Sequence, residues 1–292
     1  MAGRDHGGER RAVRASLAVT TLLCIAEAVG GYWTNSLALA SDAAHMLGDV
    51  AALALTLFAL WMGSRPASAS KTFGYYRAEI LAALLNGVVL WVVVVFILLE
   101  AWRRLGEPPP VAAGGMLAIA VVGLVVNLIV AHRLHGHAAH SLNLRGAYLH
   151  VLSDALGSVG ALAAALVIMV TGWMAADTIA SAAIAVLILK SSWSLVREAV
   201  DVLMEAVPAH VDLETVQSVL EAVAGTLEVH DLHVWSLTTG RCALSAHAVV
   251  DGTVAGDDIL ATMAAICARE FHIDHVTIQL EQQNRRAEEP VH

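Results

Sequence analysis

Six apolar segments of about 20 residues each fall at 13–33, 38–62, 78–101, 113–133, 146–170 and 177–196. That length lets a helix cross the hydrocarbon core of a bilayer, where only helices and closed barrels satisfy every backbone polar group. The breaks carry turn chemistry, "GSRPASAS" after the second segment and "GEPPP" after the third. Only 15% of residues are charged and mean hydropathy is +0.67, so the chain reads as an integral membrane protein. The stretch after Arg10, Arg11 and Arg14 has the basic flank of a secretory signal. It is long enough to span and similar segments follow, so it reads as the first span.

Basic residues set the orientation. With the N-terminus inside, the inner side receives Arg4, Arg10, Arg11, Arg14, Arg65, Lys71, Arg77, Arg133, Arg145 and Arg197, and the outer loops only Arg103 and Arg104. A multi-pass protein of the plasma or inner membrane with both termini cytoplasmic is expected. The net charge of -9 is concentrated in the last third, which gives no support to nucleic acid as a partner. Cys24, Cys242 and Cys267 show no CxxC spacing, so neither a disulfide framework nor a thiolate zinc knuckle is expected.

After Pro208 the pattern changes. Val211, Leu213, Val216, Val219, Leu220 and Val223 recur at helical spacing. "EVHDLHVWSL" and "CALSAHAVV" read as strands around a turn at Thr239-Gly240, "DDILATMAAICARE" as a second amphipathic helix, and "HVTIQLE" as a third strand. The fold expected is an all-α six-helix transmembrane domain followed by a small cytoplasmic α+β domain of order α-β-β-α-β. The boundaries are 1–12 for a cytoplasmic N-terminal segment, 13–200, 201–284, and 285–292 for a polar tail.

The second span carries "SDAAHMLGDV", with His45 and Asp49 four residues apart, and the fifth carries "HVLSD", with His150 and Asp154 at the same spacing. Residues i and i+4 share a helix face, and carboxylates are rare at membrane depth without a partner. If the two spans pack antiparallel, two imidazoles and two carboxylates converge as a tetrahedral N2O2 set that suits zinc. Asp42 either lines an outward exit or caps the span, and spacing leaves both open. Asn127 and Glu27 are further polar residues at membrane depth, as pathway or supporting groups or as interhelical glue.

"SDAAHMLGDV", "TFGYYRAEILAALLNG", "SLNLRGAYLHVLSDALGSVG" and "LHVWSLTTG" resemble the cation diffusion facilitator family, in its zinc-transporting branch. The resemblance implies a homodimer with metallochaperone-like cytoplasmic domains, exporting Zn2+ in exchange for protons through His45, Asp49, His150 and Asp154. It also implies a cytoplasmic zinc site at His230, His247 and Glu281, with Zn2+ both substrate and candidate regulatory ligand. A fourth ligand there is not identifiable; the N-terminus offers only His6. A charged interlock between Arg77 and Asp201 or Glu205 at the dimer face is implied as well, and spacing does not choose between the acids.

"HRLHGHAAH" places His132, His135, His137 and His140 between the fourth and fifth spans, either gathering metal at an entrance or forming a solvated linker. His233 alternates away from His230, and His272 and His275 read as surface residues. Two other classes compete with export. A membrane-embedded zinc hydrolase needs an open coordination position and a general base, and no H-E-x-x-H is present. A membrane metal sensor would signal through the C-terminal domain, but no kinase or DNA-binding module follows it.

Overall fold

The computed structural model of the chain describes residues 6–63, 65–138 and 142–282. Six long helices stand close to the expected spans: α1 His6–Thr34, α2 Leu37–Gly63, α3 Arg77–Gly106, α4 Ala113–Ala138, α5 Leu142–Thr171 and α6 Ala175–Leu203. Among the described residues, four of them (α3 to α6) are long and apolar enough to cross a membrane. The connections supply what ends a helix: Asn35 and Gly172 take left-handed φ of 56° and 71°, and Pro108 to Pro110 separate α3 from α4. Contacts divide the chain into two compact units, residues 1–57 with 85–196, and 58–84 with 197–292.

In the first unit the buried positions favour small side chains, with Ala38, Ala120, Ala161, Ala165 and Ala185 fully enclosed around Leu39, Met116 and Ile188. Lipid tails are as apolar as leucine, so close backbone approach and hydrogen bonds hold such helices together. Ser41 and Ser181 hydroxyls meet at 2.6 Å between α2 and α6. Trp91 Nε1 donates to Ser192 Oγ at 3.1 Å between α3 and α6, and Asn86 Nδ2 donates to the Gly48 carbonyl at 3.3 Å between α3 and α2. Leu22, Tyr32, Phe96 and Trp102 are left exposed, as a lipid-facing surface requires.

In the second unit, α7 (Leu213–Glu221), β1 (Thr226–Thr238), β2 (Arg241–Val250), α8 (Gly256–Glu270) and β3 (Ile273–Glu281) follow the expected order. Asp212 caps α7 by accepting from Thr215 N at 3.1 Å. β1 and β2 pair antiparallel around Gly240 (φ 72°), and β3 joins β2 in parallel after the α8 crossover. Val216, Leu220, Val229, Leu244, Ile259, Met263 and Ile273 form one core between helices and sheet. Cys242 and Cys267 belong to that core, and burial pushes the Cys267 thiol up to about 11. It is a small hydrophobe here, remote from thiolate chemistry.

Candidate metal centre

The position of α2 along its axis is fixed from α6. Asp177, almost fully buried, accepts hydrogen bonds from Ser36 Oγ (2.6 Å), Leu37 N (2.7 Å) and Ala38 N (3.1 Å). Ser36 Oγ in turn accepts from Leu39 N at 3.2 Å, so the first N–H groups of α2, which have no intrahelical partner, are satisfied. With the cap built by Ser36 and Asp177, Asp42 on the second turn does not cap this helix.

From that anchor α2 presents His45 and Asp49 to α5. His45 Nε2 lies 3.5 Å from Asp154 Oδ1 and 4.0 Å from Asp49 Oδ2. One ligand atom from each of the three lies within 4.8 Å of the others. One turn away, Asp42 Oδ1 occupies space 2.6 Å from where a Cβ on Gly157 would stand. Along α2 the order is Asp42, His45; the facing order on α5 is Gly157, Asp154, so the two helices run antiparallel. His150 lies on α5, one turn before Asp154; its side chain is outside the described residues.

Glu27 of α1 is 1% exposed, and its Oε2 makes no hydrogen bond among the described residues. Its Oε1 lies 2.7 Å from the Cβ position of Gly123 on α4. Asn127, a turn further along α4, is also buried. His132 is exposed near the end of α4; His140 and the side chains of His135 and His137 lie outside the described residues.

A second cluster sits across the sheet. His230 and His247 are register partners, with ring centroids 5.3 Å apart. His230 Nε2 is 3.4 Å from Glu281 Oε2, and His247 Nδ1 is 3.3 Å from Glu281 Oε1. All three come from one protomer, and their ligand atoms lie within 4.8 Å of one another. Two imidazoles and a carboxylate are a donor set zinc accepts.

Residues 13–204 match the family model "Cation efflux transmembrane domain", and residues 189–283 match "Cation efflux protein, cytoplasmic domain". The chain belongs to the cation diffusion facilitator family, in its zinc branch. Among its relatives, the metal cation efflux system protein CzcD of Cupriavidus metallidurans is 45% identical over 96% of this chain and 90% of its own. A "Cadmium, cobalt and zinc/H(+)-K(+) antiporter" of Bacillus subtilis is 44% identical over 96% and 92%. The zinc transporter ZitB of Escherichia coli is 39% identical over 91% and 85%. A solved structure titled "Metal-bound C-terminal domain of the CzcD transporter" is 40% identical, covering 24% of this chain and 99% of its own, with a TM-score of 0.24. The family consists of metal cation efflux transporters, not enzymes, which removes the hydrolase reading.

Two family motifs have geometry that spacing did not reveal. Between the pairs His230–His247 and His233–Ser245, β1 advances three residues while β2 advances two. This bulge, with Asp231 at φ 49°, returns His233 to the face of His230, against simple alternation. His233 stays half-exposed and meets Asp231 Oδ1 at 2.9 Å. In "TFGYYRAE", Arg77 Nη2 bonds Glu205 Oε1 at 2.7 Å within the same chain, while Asp201 lies 3.9 Å from Arg197. Glu79 accepts from Thr238 Oγ1 at 2.7 Å.

Proposed function

We propose that the protein is a secondary active exporter that moves Zn2+, with Cd2+ or Co2+ as further substrates, out of the cytoplasm in exchange for protons. The observation that carries this reading is the approach of His45, Asp49 and Asp154 within 4.8 Å of one another on two antiparallel membrane helices. The facing order Asp42–Gly157, then His45–Asp154, continues to Asp49 and His150, which completes a His2Asp2 cage. Two carboxylates balance the charge of a dication in low dielectric, and two imidazoles favour zinc and similar borderline ions over harder ones.

Coupling follows from the donors. Zinc needs neutral imidazole and ionised carboxylate, so metal and protons compete for one set of groups. A cycle in which the site opens alternately to either side exchanges them. The antiporter name carried by the Bacillus subtilis relative agrees with this exchange. The protein works as a homodimer in the plasma or inner membrane, six helices spanning and both termini cytoplasmic, and His230, His247 and Glu281 bind regulatory zinc in the C-terminal domain. The family model matched by residues 189–283, whose short name is ZT_dimer, supports the homodimer.

Zinc uptake into proteoliposomes with and without an imposed pH gradient tests the proposal. Uptake should accelerate when protons are more concentrated inside, so that their downhill exit drives zinc inward. Flux that follows only the zinc gradient and the membrane potential would mark a channel instead.

A further inference from the structure

The motif "TFGYYRAE" lines a cavity apart from both candidate metal clusters. Within the unit of residues 58–84 and 197–292, a cavity of about 420 Å3 opens between the α2–α3 connection and one end of the sheet. Phe73, Tyr75 and Tyr76 form its aromatic wall, Arg65 and Arg241 line it as cations, and Asp274 is its one lining carboxylate.

Three cations around it sit over aromatic rings. Arg65 lies 4.1 Å from the Trp61 ring centroid, Lys71 lies 5.3 Å from that of Tyr75, and Arg241 lies 4.7 Å from that of Tyr76. Among the described residues none of the three forms an ion pair with a carboxylate, unlike Arg77, Arg103 and Arg104. A guanidinium carries five N–H donors, and Arg241 uses one on the Tyr76 hydroxyl at 2.9 Å. A guanidinium held over a ring keeps N–H donors for a further partner, and its planar fork suits a phosphate in bidentate fashion.

We propose that this cavity binds a phosphate-bearing anion, the headgroup of an anionic phospholipid. Arg65 lies two residues past the end of α2, and the cavity-lining Tyr76 directly precedes α3. Basic residues beside aromatic anchors at membrane-helix ends meet acidic headgroups. The phosphodiester lies against Arg65 and Arg241, and the hydroxyls of a glycerol headgroup donate to Asp274.

The test titrates the full-length protein in detergent with short-chain phosphatidylglycerol, phosphatidylcholine and inorganic phosphate, following the thermal unfolding midpoint. Phosphatidylglycerol should raise the midpoint saturably. Arg65→Gln and Arg241→Gln should each weaken half-saturation at least tenfold. Tyr76→Phe removes the bond to Arg241 and leaves the charge, so it should bind as the wild type does, which separates loss of ligand from local disorder. Phosphatidylcholine binding as tightly as phosphatidylglycerol, or Arg65→Gln and Arg241→Gln proteins that bind unchanged, would overturn the proposal. Inorganic phosphate binding more tightly than the lipid would overturn the lipid assignment in favour of a soluble phosphate.

Discussion

Glu205 reaches Arg77 from a left-handed backbone conformation, φ 59°, with Oε1 2.7 Å from Arg77 Nη2. It terminates α6 in a Schellman arrangement, Ala206 N bonding Asp201 O at 2.9 Å and Glu205 N bonding Val202 O at 3.3 Å. Glycine normally holds that position, because an L-residue there costs about 1 kcal/mol. The ion pair is partly exposed, at 38% and 59% of the two side chains, so after solvent screening it returns at most about 1 kcal/mol. Glu205→Gly should leave the unfolding midpoint unchanged or raised, whereas Glu205→Ala, which keeps the strain and loses the pair, should lower it. Equal midpoints for the two variants would contradict this balance.

Asp177 fixes α2, and through it the proposed metal centre. Removing its carboxylate strands the Ser36 hydroxyl and the N–H groups of Leu37 and Ala38 in a buried site, a loss of about 2–4 kcal/mol. Asp177→Ala should unfold well before wild type in detergent, with Asp177→Asn between them. Coincident melting curves would show that the cap is dispensable.

Two glycines on α5 separate room for function from mere tolerance. A Cβ on Gly157 would stand 2.6 Å from Asp42 Oδ1, while one on Gly160 would meet nothing within 4 Å. Gly157→Ala should cost about 1–3 kcal/mol through overpacking and impair zinc flux. Gly160→Ala should be neutral or stabilising by up to about 1 kcal/mol, since alanine is the better helix former. Stability and flux measured on both variants compare them directly.

Much of this was legible in the sequence because membrane helices advertise themselves by length, and His45/Asp49 and His150/Asp154 stand out against lipid-facing neighbours. The strands carrying His230, His247 and Glu281 were legible by alternation. What escaped depended on three-dimensional approach. The partner of Arg77 is chosen by the left-handed turn at Glu205, and the face of His233 is set by a bulge at Asp231. Asp177 caps a helix that begins 140 residues earlier. Glu27 stood out as a buried-depth acid, but its place beside Gly123 needed the packing of α1 on α4.

The cluster of His230, His247 and Glu281 makes a separable prediction. A ligand bound only by the folded state adds about 2.7 kcal/mol at a hundredfold excess over its dissociation constant. In an Asp154→Ala background, which disables the membrane cage, zinc should still raise the unfolding midpoint. Adding His247→Ala should remove most of that rise, while His247→Ala alone should leave basal transport partly intact. A rise that survives His247→Ala would place the stabilising zinc elsewhere.

The central claim is that zinc crosses through a cage in which Asp154 meets His45. Its most direct test is proton-driven zinc flux in proteoliposomes carrying Asp154→Ala protein that elutes and melts as a folded species. The account predicts flux at the level of empty liposomes, because a dication with one carboxylate removed lacks compensating charge in low dielectric. Flux near that of wild type would contradict it, and the path of the metal would have to be sought away from α2 and α5.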